Sequence, residues 1–123
     1  MTRAPTHKLK HRARLSLPFL AIALSACSSF RVCDDRWTGR DKAYHFTASA
    51  AIGSGSYVLA REAFDTSRSE AALAASSVAL AAGLAKETYD LHIKQTCWSW
   101  RDIAWDILGT SVGVTAAAWA DRR

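Results

Sequence analysis

Asp41-Lys42-Ala43-Tyr44-His45-Phe46 opens the first long apolar stretch of this chain, and the rest of the sequence reads outward from it. Asp41 and His45 are four residues apart, so a helix would carry them on one face. Behind them lies a run of small residues, including Ala48, Ser49, Ala50, Ala51, Gly53, Ser54, Gly55 and Ser56. Ahead of them, Thr38-Gly39-Arg40-Asp41 has the form of a capping box, with a Thr hydroxyl for an orphan amide and an acid three residues on. These signals predict a first helix from about Gly39 to Glu62, followed by a short connector over residues 63–66.

Two similar openings follow. Ser67-Arg68-Ser69-Glu70 is a second capping-box pattern, heading an alanine-rich helix that should end near Asp90. Leu91 to Trp98 then reads as a turn carrying His92, Lys94 and Cys97. Ser99-Trp100-Arg101-Asp102 opens a third helix expected to run to about Ala120, with Gly109 and Gly113 four apart as a packing groove. No alternating run is long enough for a strand. The expected fold is all-α, an up-down bundle of three apolar helices rich in small residues.

Each helix carries few charges over a length near the lower limit for crossing a bilayer. Small residues suit close helix packing in lipid. Trp37, Trp98, Trp100 and Trp105 gather near one end and Trp119 near the other, as an interfacial belt would. A soluble alanine-rich bundle has the same composition, but the pattern favours helices embedded in a membrane or lying against it.

Short loops join antiparallel neighbours. The start of the first helix, the end of the second and the start of the third should therefore lie side by side. They carry Asp41, Lys42 and His45; Lys86, Glu87 and Asp90; and Arg101, Asp102 and Asp106. His45, Glu87 and Asp106 fall about a turn inside the apolar spans, where a charge is costly without a partner. They are the candidate catalytic residues and also the candidate ligands of a divalent metal, a cofactor that these ligand types suit. Asp41, Lys42, Lys86, Asp90 and Asp102 are the candidate binding residues around them. The plainer alternative is a structural network, in which lysines pair with acids, Asp41 and Asp102 favour helix N-termini, and Asp106 is tied to His45. His92, in its turn, reads as solvated.

The formal charge of +5 does not indicate nucleic-acid binding. Five of the sixteen basic residues precede Leu15, and from Cys27 onward eleven remain against eleven acids. Residues 1–26 read as a signal peptide, with a basic start and an apolar run from Leu15 to Ala26 that spans only about 18 Å as a helix. Leu24-Ser25-Ala26-Cys27 resembles the lipobox of bacterial lipoproteins. That likeness implies cleavage before Cys27 and attachment of lipid to its thiol, a tether over residues 27–38, and a helical domain over residues 39–123. The membrane lipid is then the expected partner, and the location is the cell envelope, facing the periplasm. Ser28 favours the outer membrane and spanning helices the inner one, which leaves that choice open. Export permits a disulfide, and Cys33 and Cys97, flanking the same end of the bundle, are the expected pair.

Trp37-Thr38-Gly39-Arg40-Asp41-Lys42-Ala43-Tyr44-His45-Phe46, Lys86-Glu87-Thr88-Tyr89-Asp90 and Trp98 through Gly109 together resemble the YfiM-type lipoproteins, in order and at similar spacing. More loosely, Asp-Lys-x-x-His-Phe and the late Asp-x-x-x-Asp-x-x-Gly are similar to VanZ-like membrane proteins. The resemblance implies a small helical envelope protein and supports His45, Glu87, Asp90, Asp102 and Asp106 as site residues. It brings no established activity. Cys33 and Cys97 are not part of the pattern. The expectation is thus an envelope lipoprotein with a structural or interaction role, the alternative being a membrane-associated hydrolase, metal-dependent or not, acting on a lipid or cell-wall intermediate.

Overall fold

Three helices account for most of the computed structural model, which describes residues Arg31–Arg123. The signal peptide and Cys27 lie outside the described residues. Helix α1 spans Arg40–Phe64, α2 spans Arg68–His92 and α3 spans Trp100–Ala120. They pack in the expected up-down-up order, with α3 lying most extensively on α1.

The helix ends partly follow the predicted caps. At α2 the full capping box forms: Ser67 Oγ accepts from the Glu70 amide and the Glu70 carboxylate accepts from the Ser67 amide. At α1 the predicted box does not form. Gly39, not Thr38, is the N-cap, and no side chain caps the helix. At α3 only half forms. Ser99 Oγ accepts from the Asp102 amide at 3.1 Å, but the Ser99 amide donates instead to Glu87 Oε2 of α2 at 2.8 Å. The reason is competition: Asp102 turns its carboxylate toward Lys42 and His45, so an acid from the neighbouring helix fills its place. The connector is shorter than expected, because α1 continues to Phe64 and Asp65 turns the chain in the left-handed region (φ 49°). His92 likewise ends α2 instead of sitting in the turn.

The interior is built from small residues. The inward stripe of α1 is Lys42, His45, Ser49, Gly53, Tyr57 and Ala60, and that of α2 is Ala71, Ala75, Ala79, Gly83, Glu87 and Leu91. Both step by three or four, the period of one helix face. At α3, Gly109 and Gly113 face the backbone of α1. A methyl group at either would be driven into the carbonyl of Phe46 or Ala50. Alanine at Gly109 must therefore push α1 and α3 apart and should cost about 1–3 kcal/mol, the usual range for overpacking, readable as a lower denaturation midpoint.

Apart from Tyr57, Leu91, Trp98 and Val114, which are buried, many of the large side chains point outward. Phe64 and Leu73 are each 71% exposed, and Val58, Leu59, Val78, Ile107, Leu108, Val112 and Trp119 are also exposed. α3 is the one described helix long and apolar enough to cross a membrane, with 28% of its apolar window buried in the bundle.

Two features brace the ends. Cys33 and Cys97 form the expected disulfide, with Cα atoms 5.2 Å apart. Beside it, Cys33 N–H donates to Trp98 O and Trp98 N–H to Arg31 O, a short parallel bridge that lays residues 31–35 against the start of α3. At the other end, Asp121 accepts from Tyr57 Oη at 3.1 Å, Arg61 Nε at 3.0 Å and Arg68 Nε at 2.9 Å, so one carboxylate joins all three helices. Arg68 is the largest of the influences that hold Asp121 below the usual aspartate range. This second network was not read from the sequence.

Candidate functional site

The polar cluster assembles where the topology predicts, at the shared end of α1, α2 and α3. Lys42, His45, Glu87, Asp102 and Asp106 are all buried there. His45 is the centre. Its Nδ1 lies 3.0 and 3.1 Å from the two oxygens of Asp106 on α3. Ser49, one turn further along α1, donates to Asp106 Oδ1 at 2.5 Å. The position opposite is kept open by Gly83 of α2, where a Cβ would collide with the Asp106 carboxylate.

The other ring nitrogen faces different partners. Lys86 Nζ is 2.8 Å from His45 Nε2, Asp102 Oδ2 is 3.6 Å away and Glu87 Oε1 is 3.8 Å away. A charged Lys86 can only donate, so Nε2 accepts from it and Nδ1 carries the proton donated to Asp106. When the imidazole is neutral, these partners hold it in one tautomer. The three residues expected to share a metal or catalytic centre do meet at His45. They are nonetheless split between its two nitrogens, Asp106 at Nδ1 and Glu87 at Nε2.

Lys42 forms the second half of the cluster. Its ammonium contacts Asp35, Asp102 Oδ1 at 2.5 Å and the more exposed Asp41 at 3.4 Å. Asp35 also accepts from Ser99 Oγ at 2.9 Å and from Arg101. Burial raises the Asp35 pKa, but hydrogen bonds from Lys42, Ser99 and Arg101 outweigh it and lower the value to about 2. Asp35 therefore stays charged through the whole physiological range. Lys86 also pairs with Asp90 at 3.0 Å, and Asp90 in turn with Lys94 at 2.7 Å, closing the lower edge of the site on α2.

The sequence reading missed Asp35, Ser49, Ser99 and Gly83. Ser49 and Gly83 had a signal: each lies four residues from a candidate, His45 and Glu87, on the buried face. Asp35 had none, because the disulfide and the bridge to Trp98 bring it in.

A cleft of about 360 Å³ opens from the cluster between α1 and α2. His45, Lys86 and Asp106 line its polar end, and Ala48, Ile52 and Ala82 line its apolar side. Chemically, the site offers an imidazole oriented by a carboxylate, with its second nitrogen beside a cleft and a half-exposed lysine next to it. That arrangement can move a proton or hold a cation.

No known protein family, no curated protein and no solved structure matches this chain.

Proposed function

We infer that this is a lipid-anchored protein of the bacterial envelope, with its helices seated in or against the membrane and its polar cluster locking them in register. The observation that carries the reading is the inverted packing, with mostly alanine, glycine, serine and paired charges inside and most of the large aliphatic side chains outside. A water-soluble bundle gains most of its stability by burying those aliphatic groups. In lipid that gain is absent, and close backbone contact through small residues takes over.

The charge distribution supports the same placement. Residues 46–60 of α1, 71–85 of α2 and 107–120 of α3 contain no Asp, Glu, Lys or Arg. At about 1.5 Å per residue these runs reach about 21–22 Å. A hydrocarbon core of about 30 Å is met at the margins by Lys86, Arg61 and Arg68, whose long stems can lie along apolar surface while the heads reach water. The lipobox-like Leu24-Ser25-Ala26-Cys27 and the resemblance to YfiM-type lipoproteins point to the same location. The role is structural or one of interaction with an envelope partner.

Mass spectrometry of the membrane fraction tests the anchor. The expected product begins at Cys27 and carries lipid on it, and Cys27→Ser should abolish both cleavage and the added mass. A mature protein with unmodified Cys27 would refute the lipid anchor, and recovery of the Cys27→Ser protein as a soluble monomer would refute the membrane seat.

A second reading, hydrolysis of a lipid or cell-wall intermediate, is favoured by one feature. His45 is held by Asp106 at Nδ1, and its other nitrogen meets Lys86 beside a cleft that is polar at one end and apolar along its side. This is the geometry a general base needs.

A further inference from the structure

We propose that the space between His45 Nε2, Glu87 and Asp102 is a binding site for a single first-row divalent cation, with Lys86 occupying it when no ion is bound. This goes beyond the envelope role and does not depend on it.

The donors are of the right type, and two carboxylates flank the same imidazole nitrogen. His45 Nε2, Asp102 Oδ2 and Glu87 Oε1 come from three different helices, and the nitrogen lies 3.6 and 3.8 Å from the two oxygens. Bonds of about 2.0–2.2 Å place tetrahedral ligands about 3.4 Å apart, close to both of these nitrogen–oxygen separations. Asp41, more exposed at the cleft mouth, offers another oxygen: one ligand atom each from Asp41, His45 and Asp102 falls within 4.8 Å of the others, a grouping that does not include Glu87. All three first-named residues are more than nine-tenths buried. Asp102 can serve without giving up its existing partner, because Lys42 binds its other oxygen, Oδ1.

The opposite face of the imidazole is prepared for the role. A histidine that binds a metal through one nitrogen characteristically donates from the other to a carboxylate, which fixes its tautomer and orientation. Asp106 does this at Nδ1, is itself held by Ser49, and has its place preserved by Gly83.

The second, independent observation is the charge already at the site. Glu87, Asp102 and Asp106 are buried with only one buried ammonium, Lys42, so two negative charges remain when His45 is neutral. Lys86 reaches in from a half-exposed position to place its Nζ 2.8 Å from His45 Nε2 and 3.2 Å from Glu87 Oε1. It thus puts a positive charge against two of the three donors. A divalent ion would neutralise the excess fully where one ammonium does so by half. The flexible stem of Lys86 lets it turn outward to Asp90, which it already contacts. One imidazole with carboxylates suits zinc or manganese better than magnesium, whose preference is for oxygen alone.

Calorimetric titration of the metal-stripped mature protein in detergent with zinc chloride, and separately with manganese chloride, tests the proposal. One ion per chain is expected. Lys86→Met should bind at least tenfold tighter, because the competing ammonium is gone, whereas a merely structural Lys86 would leave affinity unchanged or weaken it. His45→Ala and Asp102→Asn should each weaken binding at least tenfold, and His92→Ala should leave it unchanged. Helical content measured on each variant separates lost ligands from lost fold, and Lys86→Met, altered only at a half-exposed position, keeps the test decisive if the others fail to fold. Absence of saturable binding in both wild type and Lys86→Met overturns the proposal, as does equal or weaker binding by Lys86→Met.

Discussion

Replacing Asp106 by alanine should destabilise the bundle by about 3–5 kcal/mol, the cost of leaving a buried polar network without one of its partners. Asp106 is the acceptor for both His45 Nδ1 and Ser49 Oγ, and it sits against Gly83 of α2. Its loss would strand an imidazole N–H and a hydroxyl in the interior and leave a void between helices. Asp106→Asn should cost less, because its amide oxygen can still accept from His45, although the charge is gone. Denaturant unfolding in detergent, followed by circular dichroism, reads both values. If His45→Ala is equally costly and the double variant costs little more than either single one, the two residues act as a unit. A loss below about 1 kcal/mol for Asp106→Ala would contradict the structural role. An envelope-stress phenotype in a strain carrying Asp106→Asn at undiminished stability would favour the hydrolase reading over the structural one.

Loss of the Cys33–Cys97 disulfide is the second large effect. Serine at both positions should cost about 4 kcal/mol, as expected from the chain entropy of a closed loop with a sequence separation of 64 residues. Reduction of the wild-type protein should lower its unfolding midpoint to match. The consequence reaches the site, because the disulfide and the adjacent bridge to Trp98 hold Asp35 against Lys42, Ser99 and Arg101. With that segment released, Lys42 keeps Asp102 and Asp41 but loses one of its carboxylates. Its amine should then become measurably more reactive to acylating reagents than in the oxidised protein. Unchanged midpoints with and without reductant would show that residues 31–35 are held in place without the bridge.

Three capping-type openings, three uncharged runs and two short connections were enough to read an all-α, up-down-up bundle from the chain alone. Antiparallel neighbours with short loops must bring alternate helix ends together. That constraint places His45, Glu87 and Asp106 at one level from connectivity alone. The outermost helix turns were less legible. Thr38 was read as a cap, yet Gly39 takes the position, because local capping patterns say which residues can cap and not which will be free to do so.

What the sequence by itself determined is the helices, their order, the end at which the charges gather and the cysteine pair, since each follows from local propensity, periodicity or connectivity. Only the tertiary structure decided which nitrogen of His45 meets which acid, that Glu87 rather than Asp102 caps the Ser99 amide, and that Asp35 and Asp121 belong to networks at opposite ends. Helix rotation and crossing set those pairings. A turn of about 100° per residue moves a side chain from one neighbour to another, and the glycine contacts that fix the rotation lie between residues far apart in the chain.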